Sequence, residues 1–112
     1  FYGALARGGE IDSVRVLSST LATELAKEHS VGHDAILDVE TRFGLGFMLN
    51  LPHASFGPNE GCFGHPGMGG SVGCANPEAR VGFGYVTNML GVHILVDPRA
   101  SRLIDAVYAS LA

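Results

Sequence analysis

Tryptophan is absent from the 112 residues, lysine occurs once (Lys27) and cysteine twice. Charge is scarce too: 16% of the residues are Asp, Glu, Lys or Arg, where an ordinary domain has about 25%. Seven basic and eleven acidic side chains leave a net charge of −4. The arginines are scattered, so no basic stripe can neutralise a phosphate backbone, and nucleic acid is excluded as a partner. No apolar run approaches the roughly 18 to 20 residues that cross a bilayer, so no membrane span is expected. Cys62 and Cys74 are too few for a disulfide framework and lack CxxC spacing. They are read as free thiols, small buried hydrophobes of a protein kept in the reducing cytoplasm. The five histidines are spread over 65 residues, no HExxH occurs and no cysteine pair has ligand spacing, so no metal site is expected. Phosphate-binding signatures are missing as well: after Gly67 and Gly69 the third glycine of a dinucleotide fingerprint would have to stand where Val72 does. No cofactor is expected.

What is abundant is glycine, 16 residues, in a chain that is 46% hydrophobic. Such a composition suits turns and closely packed strands, and a surface too poor in charge for a free-standing monomer. Phe1, Tyr2, Leu5 and Ala6 have helical spacing and run into Gly8-Gly9, a helix C-cap signal with no N-cap ahead of it. The chain is therefore expected to begin inside a helix of a longer protein. Glu10 to Val16 reads as a short extended stretch. Ser18 can N-cap a helix carrying Leu21, Ala22, Leu25 and Ala26 on one face and ending near His29. Residues 30–41 read as a loop that holds at most a short strand.

From Arg42 the period becomes two, with Phe43, Leu45, Phe47 and Leu49 alternating against Gly44, Gly46, Met48 and Asn50. This predicts one strand over 42–49 whose glycine face lets another backbone come close. Residues 71–75 and 81–89 form two more strands, joined at Asn76-Pro77-Glu78-Ala79 and lying as an antiparallel hairpin beside the first. Asp97-Pro98 starts an amphipathic helix through Leu111, expected to lie across the sheet. The fold class is α+β, an antiparallel sheet of three or more strands flanked by helices.

The densest local signal is Gly61 to Gly73, GCFGHPGMGGSVG. Taken alone, His65 in it is a turn histidine beside a proline. The run FGHPGMGGSVGCANPEARVGFGYVTNM (63–89), with RFGLGFML before it and DPRASRLIDAVYASL after it, resembles the serine β-lactamase-like hydrolases, the family of class C β-lactamases, DD-peptidases and related esterases. The resemblance implies that residues 1–112 are the C-terminal part of a single β-lactamase or transpeptidase-like catalytic domain. It also implies that His65-Pro66-Gly67 is the family's third active-site motif, KTG or HxG, on an inner strand. The family's nucleophilic SxxK and its tyrosine motif are not in this sequence: Lys27 has Glu24, not serine, at the required spacing. The 112 residues alone are therefore expected to be inactive, and to pair with the missing N-terminal part of the domain or to self-associate through an open strand edge.

The implied chemistry is acyl transfer. A tetrahedral intermediate needs two N–H donors at its oxyanion, each worth about 3 kcal/mol; the family takes one from the nucleophile and one from the residue after the motif glycine, here Met68. Catalytic roles thus fall to His65, Gly67 and the Met68 backbone. Gly69 and Gly70 are assigned to substrate binding, where a side chain would block approach. Phe63, with Phe56, either lines an acyl pocket or belongs to the core. His65 replaces a lysine and Met68 a hydroxyl residue, which weakens the grip on a substrate carboxylate and favours neutral esters over β-lactams or peptides. His65 is expected to donate a hydrogen bond to the catalytic serine–lysine–tyrosine network. The alternative is a catalytically inactive relative that serves as a binding or scaffold module.

Overall fold

The computed structural model describes all residues, Phe1–Ala112. In chain order its elements are α1 (Tyr2–Leu5), β1 (Glu10–Ile11), β2 (Val14–Arg15), α2 (Ser19–Leu25), β3 (Ser30–Asp34), β4 (Val39–Phe43), β5 (Met48–Leu49), β6 (Phe63–Pro66), β7 (Val72–Asn76), β8 (Val81–Tyr85) and α3 (Pro98–Leu111). Strands β3 to β8 form one antiparallel sheet in sequence order, and β1 and β2 form a separate hairpin. The fold is α+β.

Both helix starts follow from capping. Ser18 accepts a hydrogen bond from the Leu21 N–H at 3.1 Å, and Asp97 accepts one from the Arg99 N–H at 2.9 Å with Pro98 in the first turn. α2 stops at Leu25, short of His29. There the Leu25 carbonyl accepts from the Leu45 N–H and lies 2.0 Å from where a Cβ on Gly44 would be, so the expected close approach of a backbone occurs at that glycine.

The strand expected over 42–49 is in fact two. β4 turns back into β5 at Phe43 opposite Met48, through Gly44–Phe47, with Gly46 at φ +83°. Alternating glycine imitates the period of a strand, but glycine at positive φ is what a tight turn requires. Residues 30–41 are likewise a hairpin and not a loop. Asp34 is opposite Val39, and the Asp34 carboxylate accepts from the Ile36 and Leu37 N–H groups at 2.8 and 2.9 Å. Glu10–Val16 folds back at Asp12 and Ser13, both at positive φ. The 72–85 hairpin forms as expected, its second strand ending at Tyr85 rather than Met89; β6, and not the 42–49 region, is its neighbour.

The sheet buries both faces. On one, Met48, Val72 and Cys74 pack with Phe56, Cys62 and the α3 residues Ala100 and Ile104. On the other, Leu49, Phe63 and Ala75 pack under Leu5 and Ala6 at the end of α1. Both cysteines are free and buried, and burial pushes the Cys74 thiol up to about 12. Phe43, Phe83 and Tyr85 are half-buried against the first cluster, and Phe47 against the second. β3 and β8 each pair on one side only, so the sheet has two open edges. No helix is long and apolar enough to cross a membrane.

Candidate active site

The tight hairpins β3–β4, β4–β5 and β7–β8 each close on four residues, whereas Pro66 opposite Val72 leaves five between β6 and β7, Gly67–Ser71. This longer loop follows His65-Pro66 at the end of an inner strand. Its base is closed by the Gly67 N–H donating to the Ser71 carbonyl at 2.7 Å. The Gly70 N–H donates to the Gly67 carbonyl at 3.1 Å with Gly69 at φ +96°, which makes Gly67–Gly70 a type II turn with Met68 in its second position. The Gly69 N–H donates to the His93 carbonyl at 3.0 Å. The Met68 N–H, between these fixed neighbours, donates to no group of the chain, and its side chain is 78% exposed.

His65 is exposed and opposite Gly73 on β7. Its Nδ1 lies 2.8 Å from the Pro66 carbonyl oxygen, which can only accept, so Nδ1 carries the proton. In the neutral ring Nε2 is then an acceptor. This reverses the expected direction of donation: His65 can donate from Nε2 only as imidazolium. A groove of about 430 Å³ runs beside the ring, bounded by Tyr2, Gly67, Ser71, Gly73, Gly84 and Val86 among others, with no lysine or arginine in its lining.

The other expected site residues stand differently. Gly67 lines this groove, but its missing side chain makes room for the Ser71 hydroxyl, 2.1 Å from where a Cβ would be. Gly69 and Gly70 are required by their positive φ and by internal packing against Leu90 and Arg99, and both N–H groups are used within the chain. They shape the loop and do not offer donors to a substrate. Phe63 is 1% exposed, covered from the α1 side, and is core rather than a pocket wall; Phe56 is equally buried.

Sequence reasoning missed the pair that anchors the loop. Asp97, besides capping α3, receives the Arg99 guanidinium through Nε and Nη2, both at 2.9 Å. Arg99 holds the Asp97 carboxyl well below the usual carboxylate range, first through these side-chain bonds and then through its own N–H. A carboxyl so lowered by folding stabilises the fold fully above its unfolded value, near pH 4, and progressively less below it. The melting-temperature gap between the wild-type protein and Asp97→Asn should therefore begin to narrow as pH falls below about 4. A gap constant from pH 6 to pH 3 would contradict this ion pair. The available signal was the spacing Asp-Pro-Arg, which places a guanidinium within reach of its own helix cap.

A sheet whose inner strand runs into His-x-Gly, followed by a loop that presents the unpaired Met68 N–H, is matched by a family model: that of Beta-lactamase covers residues 2–106. The chain belongs to the β-lactamase family. Among curated proteins of this kind it is 43% identical to the esterase/beta-lactamase LipL of Mycobacterium tuberculosis over 90 residues, 80% of this chain and 20% of that protein. Among solved structures, a family VIII carboxylesterase shares 42% identity with a TM-score of 0.91, covering 96% of this chain and 29% of that one. A penicillin-binding protein homologue from Caulobacter crescentus shares 40% with a TM-score of 0.92, covering 97% and 29%. The chain thus spans a fifth to a third of the length of these β-lactamase-like relatives.

Proposed function

We propose that these residues are the C-terminal part of a serine hydrolase that works through an acyl-enzyme, and that its preferred substrates are neutral esters. The observation that carries the reading is the unpaired Met68 N–H, held in a fixed turn directly after His65-Pro66-Gly67. An N–H with no internal partner, on a backbone that cannot relax to find one, is a preorganised donor for developing negative charge. The nucleophile and the tyrosine of the network lie in the rest of the domain, which docks against this part and covers its open β8 edge and the exposed Val86, Met89, Leu90 and Val92 beyond it.

Two features support esters over substrates with an essential carboxylate. The groove has no lysine or arginine in its lining, and the guanidinium behind the loop has all its donors engaged within the chain. Met68 and Leu90, 78% and 77% exposed, add apolar surface around the donor. With Nδ1 committed to the Pro66 carbonyl, Nε2 is the ring atom of His65 left to take part in proton transfer in the network. In the whole protein, His65→Ala should lower ester turnover by about 10²-fold, and a chromogenic ester should be turned over faster than a chromogenic cephalosporin. An unchanged turnover in His65→Ala would return the residue to a turn role, and a preference for the cephalosporin would reverse the substrate ranking.

A further inference from the structure

Arg99 is the second residue of α3, half-buried, and every N–H of its guanidinium is engaged. Nε and Nη2 grip the two oxygens of Asp97, whose side chain is 2% exposed. Nη1 donates to the Thr87 hydroxyl at 3.3 Å and to the Met89 carbonyl at 2.9 Å, and Nη2 also donates to the Gly69 carbonyl at 3.0 Å. The same Gly69 carbonyl accepts from the Gly91 N–H at 2.7 Å. One planar cation, fixed to a helix whose next residue, Ala100, is fully buried, therefore ties together the 87–91 segment and the residue that follows Met68.

We propose that Arg99 is a positioning residue for catalysis: by holding the Gly69 carbonyl it fixes the turn in which the Met68 N–H is aimed at the oxyanion. This rests on the function proposed above. The geometry explains why arginine stands here. Only a planar fork with five donors can hold a bidentate carboxylate and three further acceptors at once, whereas a lysine ammonium has three donors at a single point. Displacing a catalytic group by about 1 Å costs on the order of 10² in rate, so loosening this clamp should act on the chemical step while leaving ground-state binding nearly intact.

The test uses the whole protein, a chromogenic ester and a boronic acid that mimics the tetrahedral intermediate. Arg99→Lys keeps the cation beside Asp97 and should lower kcat by about 10²-fold with KM changed by less than about threefold. Boronate affinity should fall by the same factor as kcat/KM. A residue that serves stability alone would lower the melting temperature and leave kcat and boronate affinity unchanged well below it; that result overturns the inference. If Arg99→Lys does not fold, Thr87→Val, which removes one arm of the clamp, replaces it, with an expected loss of about tenfold in kcat at constant KM, and an unchanged kcat again overturns the inference. A wild-type protein that neither hydrolyses the ester nor binds the boronate overturns the functional reading and this inference with it, whereas wild-type activity with a normal variant overturns the inference alone.

Discussion

Replacing Met68 with proline should reduce ester turnover by the whole protein about 10² to 10³-fold without unfolding it. Met68 occupies the second position of a type II turn, where the fixed φ of proline is well suited. The substitution removes an N–H that has no partner in the chain and a side chain that is largely exposed. Stability should hardly change. The loss is the full contribution of one oxyanion donor, and it should fall on kcat more than on KM, because the charge it meets exists only in the transition state. Met68→Ala keeps the N–H and separates the side chain's part from the backbone's. Equal turnover in the two variants would show that this N–H is not a donor in the reaction.

A large loss of stability is expected from a side chain at Gly82. A Cβ there would lie 2.3 Å from the Gly3 nitrogen, 2.5 Å from the Gly3 Cα and 2.6 Å from the Tyr2 carbonyl carbon, all backbone atoms of α1 that no rotamer change can move aside. Two opposed terms decide the outcome of Gly82→Ala. Alanine restricts the unfolded chain, a gain of about 0.4 to 1 kcal/mol; overpacking costs about 1 to 3 kcal/mol. Because the obstruction is backbone, the cost should lie at the upper end and prevail, for a net loss near 2 kcal/mol. The displaced α1 would also lift Tyr2, whose ring fills the space over Gly73 beside the His65 groove. Gly61→Ala is the control: the residue is exposed, has no positive φ and meets nothing nearer than 3.8 Å, so its effect should stay within about 0.5 kcal/mol. Denaturant titration of the whole protein checks both, and a Gly82→Ala midpoint equal to wild type would contradict the packing of α1 on β8.

Some of this architecture was legible before the structure, and some was not, for reasons that lie in particular residues. The Ser18 and Asp97-Pro98 caps act locally, through one side chain and the next few N–H groups, so they declared their helices. The 72–85 hairpin was readable because residues 81–89 alternate with glycine and Asn76-Pro77-Glu78-Ala79 supplies the turn before them. The 42–49 region misled because its glycines imitate the alternation of a strand while serving a turn: Gly46 supplies the positive φ, and Gly44 makes room for the Leu25 carbonyl. The 30–41 hairpin was hidden because its turn, residues 35–38, carries the apolar Ile36 and Leu37 and neither proline nor glycine; the Asp34 carboxylate holds it by accepting from the Ile36 and Leu37 N–H groups, and Asp38 supplies the positive φ.

At the site, the sequence resemblance picked out the right loop but not the division of labour within it. Gly69 and Gly70 were assigned outward roles because glycine was read as room for a substrate, when the room is taken by Leu90 and Arg99 inside the protein. The direction of the His65 hydrogen bond depends on where a backbone carbonyl points, and no pattern of residue types encodes that. Of the Arg99 clamp only the Asp97 arm, two residues away, lies within reach of the sequence; the partners at residues 69, 87 and 89 are assembled only by the folded chain.

That the Met68 N–H faces the oxyanion is tested most directly by a crystal structure of the whole protein carrying a boronate or phosphonate on its nucleophile. One oxygen of the tetrahedral adduct should lie about 2.7 to 3.1 Å from the Met68 nitrogen, with the Gly69 carbonyl still bound by Arg99. An adduct whose oxygens all lie beyond hydrogen-bond reach of that nitrogen would contradict it.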